Sequence, residues 1–153
     1  MTLWEVDIYA AEGQPDIVAA QIVGDAADMG LAEGVEVRTA RGYLVDGDLD
    51  LEQIQRLGAR LLADTVVEST VIGQVGAAEL NESPIAGGQV VHVLPKPGVM
   101  DPVALSAKKA MTDLGAAARE VRTLRKYWIN GADADTLDTL CDRLLANDSI
   151  EQV

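Results

Sequence analysis

The sequence contains no phenylalanine and only one cysteine and one histidine among its 153 residues. A lone cysteine, Cys141, cannot close an internal disulfide. It falls in an apolar helical pattern, where a buried, inert thiol in a reducing compartment is expected. With no Phe, and only two Trp and three Tyr, the chain lacks the exposed aromatics on which RNA-recognition sheets stack bases. Basic residues are also scarce: 12 Lys and Arg face 25 Asp and Glu, a net charge of -13. That balance argues against a free-standing DNA or RNA binder, because neutralising phosphates supplies most of such affinity. No stretch approaches the ~20 apolar residues that cross a bilayer. The opening Met1-Thr2-Leu3-Trp4-Glu5 lacks the basic start of a signal peptide, so a soluble cytoplasmic protein is expected, with neither nucleic acid nor membrane as partner. What the chain does have is a hydrophobic share of 48%, enough for a real core.

It also repeats itself. Val37-Arg38-Thr39-Ala40-Arg41-Gly42-Tyr43 recurs as Val121-Arg122-Thr123-Leu124-Arg125-Lys126-Tyr127, an offset of 121 - 37 = 84. Arg60-Leu61-Leu62-Ala63-Asp64 recurs as Arg143-Leu144-Leu145-Ala146-Asn147 at an offset of 143 - 60 = 83, with Glu68 falling on Glu151. Upstream, Gly30 after Met29 matches Gly115 after Leu114 at an offset of 85. Order and spacing are kept throughout.

Each half reads as the same series of elements. In the first, residues 3–9 alternate as a strand, and 15–29 form a helix that starts on Pro15 and stops at Gly30. Residues 35–40 and 43–45 read as two strands with Gly42 near their junction. Leu51, Ile54, Leu57, Leu61 and Leu62 make the apolar stripe of a second helix, and 66–72 is a strand rich in β-branched residues. In the second half, 89–94 is a strand, Asp101-Pro102 is an N-cap followed by proline, and Leu137, Leu140, Leu144 and Leu145 repeat the stripe. The expected fold is α+β, two tandem ferredoxin-like βαββαβ units forming a covalent pseudo-dimer. The division expected is unit 1 at 1–72, an exposed linker at 73–88 rich in small residues, and unit 2 at 89–153. Because the last strand of the second copy barely begins, the chain is expected to be the front piece of a longer polypeptide.

Residues with chemical potential are few. His92 sits in an expected strand without an orienting partner in the sequence, so a structural or solvent-facing role is favoured over catalysis. A Cys141–His92 pair would need an exposed thiol where burial is expected. Asp46-Gly47-Asp48-Leu49-Asp50 begins like a calcium loop, but its sixth position is Leu51 and its twelfth Leu57; a turn and an acidic helix cap explain it better. No glycine-rich loop followed by Lys-Ser or Lys-Thr marks a phosphate site. Trp4, Tyr43, Tyr127 and Trp128 are expected in the core or in inter-unit packing.

The stretch Val93-Leu94-Pro95-Lys96-Pro97-Gly98-Val99-Met100-Asp101-Pro102 resembles the opening of the PurS family, the small subunit of phosphoribosylformylglycinamidine synthase, with its Lys-Pro-Gly-Val-x-Asp-Pro loop. Leu114-Gly115, Val121-Arg122 with Lys126-Tyr127, and Leu144-Leu145-Ala146-Asn147 with Ile150-Glu151 continue the resemblance in order. The first copy is similar more weakly, and its loop Ala10-Ala11-Glu12-Gly13-Gln14-Pro15 lacks the signature. The tandem looks like the N-terminal region of the large single-chain synthase.

That resemblance implies a non-catalytic structural and coupling module. Its partners would be the glutaminase and synthetase parts of the enzyme, which use glutamine, ATP and Mg and pass ammonia between them. Cofactor sites and catalytic residues would lie on those parts, with none in this chain. The candidate partner interface is Lys96 in the signature loop together with Arg38, Arg41, Arg122, Arg125 and Lys126 of the repeated central segment; ordinary salt-bridging is the competing explanation for the arginines. Homo-association through exposed sheet edges is open. Two other functions compete: a ferredoxin-like ligand-binding regulatory module, by fold analogy, and a small hydrolase, which lacks a catalytic constellation.

Overall fold

The computed structural model describes residues 2–148 and 150–153. The elements run β1 (Thr2–Ala10), α1 (Ile17–Asp28), β2 (Glu36–Gly47), α2 (Leu51–Leu57), β3 (Glu68–Gln74), β4 (Gln89–Pro95), α3 (Pro102–Asp113), β5 (Ala118–Asn130), α4 (Ala134–Leu140) and β6 (Glu151–Gln152). The fold is α+β, as expected. The six strands form one sheet in the order β3-β1-β2-β5-β4-β6. The pairs β1–β2, β1–β3, β4–β5 and β4–β6 are antiparallel.

One local expectation is corrected. The two short strands at 35–40 and 43–45 are a single strand of 12 residues, and the corresponding β5 is a single strand of 13. No turn-forming pair interrupts Leu124-Arg125-Lys126-Tyr127, and Arg41-Gly42 in the first copy is equally able to stay extended. This has a large effect on the chain path. A 12-residue strand spans about 40 Å at ~3.3 Å per residue, whereas a 12-residue helix such as α1 is only about 18 Å long. The helix before β2 and the helix after it fall in different compact units.

Two compact units result, each assembled from three segments. One contains Met1–Gln14, Ala40–Glu82 and Met100–Leu124; the other contains Pro15–Thr39, Ser83–Val99 and Arg125–Val153. Read in space, the first unit holds β1, α3, the start of β5, the end of β2, α2 and β3, a ferredoxin-like βαββαβ set drawn from both copies. The second unit mirrors it with β4, α1, the start of β2, the end of β5, α4 and β6. The division at 1–72, 73–88 and 89–153 describes the repeats in the sequence; the compact units exchange their first helices relative to it.

The core of the first unit is built by alternation along the strands. Trp4, Val6 and Ile8 of β1 and Tyr43 and Val45 of β2 meet Ile54, Leu57 and Leu62 from the α2 region and Ala104, Ala107 and Met111 of α3. In the second unit Val91, Val93, Tyr127 and Ile129 meet Ile22 and Ala26 of α1 and Leu140, Cys141 and Leu145. Both α2 and α4 end in a π-helical turn, Gly58–Leu62 and Cys141–Leu145. Its i→i+5 bonds, Ala63 N–H to Gly58 O at 3.0 Å and Ala146 N–H to Cys141 O at 3.1 Å, bring residues five apart onto one face. Leu57 with Leu62, and Leu140 with Leu145, are buried in consequence.

Boundaries shift slightly. Asp16, not Pro15, begins the first helix, because its carboxylate accepts the Ala19 N–H. The connector is exposed over much of its length but is not plain coil. β3 continues to Gln74, and a 3-10 turn at Ala78–Asn81 buries Leu80.

Candidate functional site

The segment after β4 is shaped by its prolines and by Gly98, which takes φ +84°, a left-handed conformation that costs glycine nothing. Lys96 N–H donates to Ile150 O at 2.8 Å, and Val99 N–H closes a turn onto Lys96 O at 3.1 Å. The backbone of Lys96 is thus fixed. The residue is half-buried, and its ammonium has no partner among the described residues.

Asp101, next to last in the signature, is an architectural residue. Its Oδ1 accepts the Ala104 N–H at 3.1 Å, capping α3, while Oδ2 accepts the Thr123 N–H at 2.9 Å and the Thr123 hydroxyl at 2.8 Å. One carboxylate therefore ties the helix to β5. Asp16 does the same in the other unit, capping at Ala19 and accepting the Thr39 N–H at 2.8 Å and hydroxyl at 2.7 Å. The device survives in the first copy although the Lys-Pro-Gly-Val loop does not.

The candidate basic residues differ in what they meet. Arg41 and Arg125 are used inside their own units. Arg41 pairs with Glu68 and donates to Leu62 O at 2.8 Å, and Glu68 in turn accepts the Asp64 N–H at 2.9 Å. Arg125 pairs with Glu151 and donates to Leu145 O at 2.9 Å, with Asn147 N–H on Glu151 at 2.9 Å. These equivalent clamps close the last carbonyls of each π turn onto the following strand. Arg41 beside it, chiefly through a direct hydrogen bond, holds the Glu68 carboxyl below its ordinary value.

Alternation puts Arg38 on the face of β2 away from Arg41, and Arg122 and Lys126 on the face of β5 away from Arg125. Arg122 is exposed and pairs with Glu120 at 3.2 Å; Arg38 is half-buried and engaged. Lys126 departs most from the sequence expectation. It is fully buried, with Nζ 5.5 Å from the Trp128 ring centroid, and so is engaged within the fold instead of exposed. His92 sits opposite it on β4.

Other singled-out residues are structural. Trp4 donates its indole N–H to Leu49 O at 3.1 Å, and Tyr43, Tyr127 and Trp128 are buried. Burial pushes the Tyr127 hydroxyl and the Cys141 thiol up, the latter helped by Asp138 and Asp142, which leaves Cys141 protonated. Asp50 is the cap of α2, in a reciprocal box with Gln53. Among the described residues no helix is long and apolar enough to cross a membrane.

A feature that the sequence reading passed over lies in the first unit. A cavity of 220 Å³ opens between α2 and the turn after α3, and Arg56 and Arg60 both line it. The i,i+4 spacing of these arginines was the available signal.

Residues 89–153 match a family described as PurS: Phosphoribosylformylglycinamidine (FGAM) synthase. The second sequence copy is a PurS-like region. The match begins at the first residue of β4 and takes in the signature loop, α3, β5 and α4. It ties this part of the chain to FGAM synthase and hence to purine biosynthesis. No match to the chain was found among curated proteins.

Proposed function

We propose that the chain is a non-catalytic structural and coupling module of FGAM synthase, bridging the glutaminase and synthetase parts and supporting ammonia transfer between them. The observation that carries this reading is the PurS-like region at 89–153 with its Lys-Pro-Gly-Val-Met-Asp-Pro loop complete. Asp101 anchors that loop at one end, and the Lys96 backbone is held at the other, so the Lys96 ammonium is offered to a partner from a fixed base. The tandem copy belongs to the same proposal: fusion keeps two such units together at any protein concentration. Glutamine, ATP and Mg would be handled by the partner domains.

The test is reconstitution. The chain is supplied in trans to the catalytic remainder of its synthase, and glutamine-dependent and ammonia-dependent product formation are compared. Glutamine-dependent activity that requires the chain, beside ammonia-dependent activity that responds less, is the expected result. If neither responds and no complex forms, the coupling role is wrong.

A further inference from the structure

We infer that the first unit carries a binding site for a small anion, a phosphate or carboxylate on a short apolar body, in the cavity between α2 and the turn that follows α3. This stands apart from the coupling role and can fail without it. The protein as a whole repels anions at a net charge of -13, so a cavity in which the charged lining residues are both arginines is a local exception. Arg56 and Arg60 are neighbours along the helix surface and can point two guanidinium forks at one group.

Neither guanidinium is committed elsewhere to a degree that would prevent this. Arg60 has no partner among the described residues. Arg56 meets only Glu52, at 3.0 Å and with both side chains more than half exposed, a pairing of little strength in water. Gln53 adds a third donor. Its Oε1 accepts the Asp50 N–H at 2.9 Å, which leaves the amide NH2 free to donate into the cavity. Beside these donors lie apolar atoms: Leu57, which is buried, Ala116 and the exposed Leu114. Gly115, at φ +80°, forms the turn at the rim.

The volume limits the ligand. At 220 Å³ the cavity falls below the roughly 300–1,000 Å³ of sites that enclose drug-sized molecules, so one anionic head and a few carbons fill it. The second copy supplies an internal control. At the offset of 83, Arg60 becomes Arg143, but Arg56 becomes Thr139 and Gln53 becomes Thr136. Two of the three donors that define the site are absent there.

The experiment titrates the whole chain with inorganic phosphate, butyrate and propyl phosphate, following the amide signals of Gly115 and Ala116 and the arginine Nε–H signals by NMR. Saturable shifts confined to this cavity are expected. Propyl phosphate should bind more tightly than inorganic phosphate, by about fourfold for each methylene buried against Leu57 and Ala116; the ratio of phosphate to butyrate affinity tells which head group is preferred. Arg60→Ala and Arg56→Ala should each weaken binding about tenfold, and Glu52→Gln should tighten it. Arg143→Ala should change nothing. Non-saturating shifts, shifts spread evenly over all arginines, or an Arg143→Ala effect as large as that of Arg60→Ala would each overturn the site.

Discussion

Replacing Asp101 with alanine removes three hydrogen bonds at once, because this carboxylate caps α3 at Ala104 and also holds both the backbone N–H and the hydroxyl of Thr123. Loss of an N-cap side chain costs about 0.5–2 kcal/mol. The partly buried Thr123 N–H, left without its acceptor, adds about 1–3 kcal/mol, whereas the hydroxyl can turn elsewhere. Together these give about 1.5–5 kcal/mol, or a fall in Tm of roughly 3–20 °C for a chain of this size. Urea denaturation followed by tryptophan fluorescence and far-UV circular dichroism measures it. Combining Asp101→Ala with Thr123→Ala should give less than the sum of the single effects, since both remove the same side-chain bond. Asp16→Ala should cost a similar amount, as Asp16 makes the same contacts with Ala19 and Thr39. An Asp101→Ala effect under about 0.5 kcal/mol, or strict additivity with Thr123→Ala, would refute the view that this signature aspartate is architectural.

Three further outcomes are expected. The Arg41–Glu68 clamp should contribute at most about 1 kcal/mol, and because Glu68 titrates below its ordinary value of 4.5 when folded, that contribution is complete above pH 4.5 and lost as the pH falls through the lower folded value. Arg41→Met should therefore lower stability more at neutral pH than in acid, where only the bond to Leu62 O is left to lose, as read from chemical denaturation at a series of pH values. Gly47→Ala places a β-carbon 2.3 Å from Ala117 O, a backbone atom, and should destabilise by about 1–3 kcal/mol or more in thermal melts. Cys141, buried and with its thiol pKa raised, should react with a thiol reagent such as DTNB far more slowly in the folded protein than in denaturant; prompt labelling without unfolding would contradict its placement in the core.

Much of the local structure was legible because it is written in short-range terms. Helix starts at Asp50 and Asp101 followed from cap residues, and the stops at Gly30 and Gly115 from positive-φ glycine at φ +68° and +80°. The core leucines of α2 and α4 followed from their spacing. The π turns did not, because period alone does not distinguish an added residue per turn; Leu57 and Leu62, five apart and both buried, were the clue. For the candidate interface, the arginine-rich repeat was visible, but what each side chain meets was not. Arg41 and Arg125 find Glu68 and Glu151 across 27 and 26 residues of chain, and Lys126 is buried where its charge suggested exposure.

By itself, then, the amino-acid order determined the repeat, the class of each element and the PurS-like signature, since these rest on spacing, capping and side-chain chemistry within a few residues. The tertiary structure alone decided which helix joins which core. Whether residues 36–47 fold as a hairpin or run straight depends on whether the same backbone groups pair with one another or with neighbouring strands, and their local preferences fit either. Once β2 and β5 run straight, the helices on either side of each strand fall in different compact units. Each compact unit is then completed by elements from the other copy.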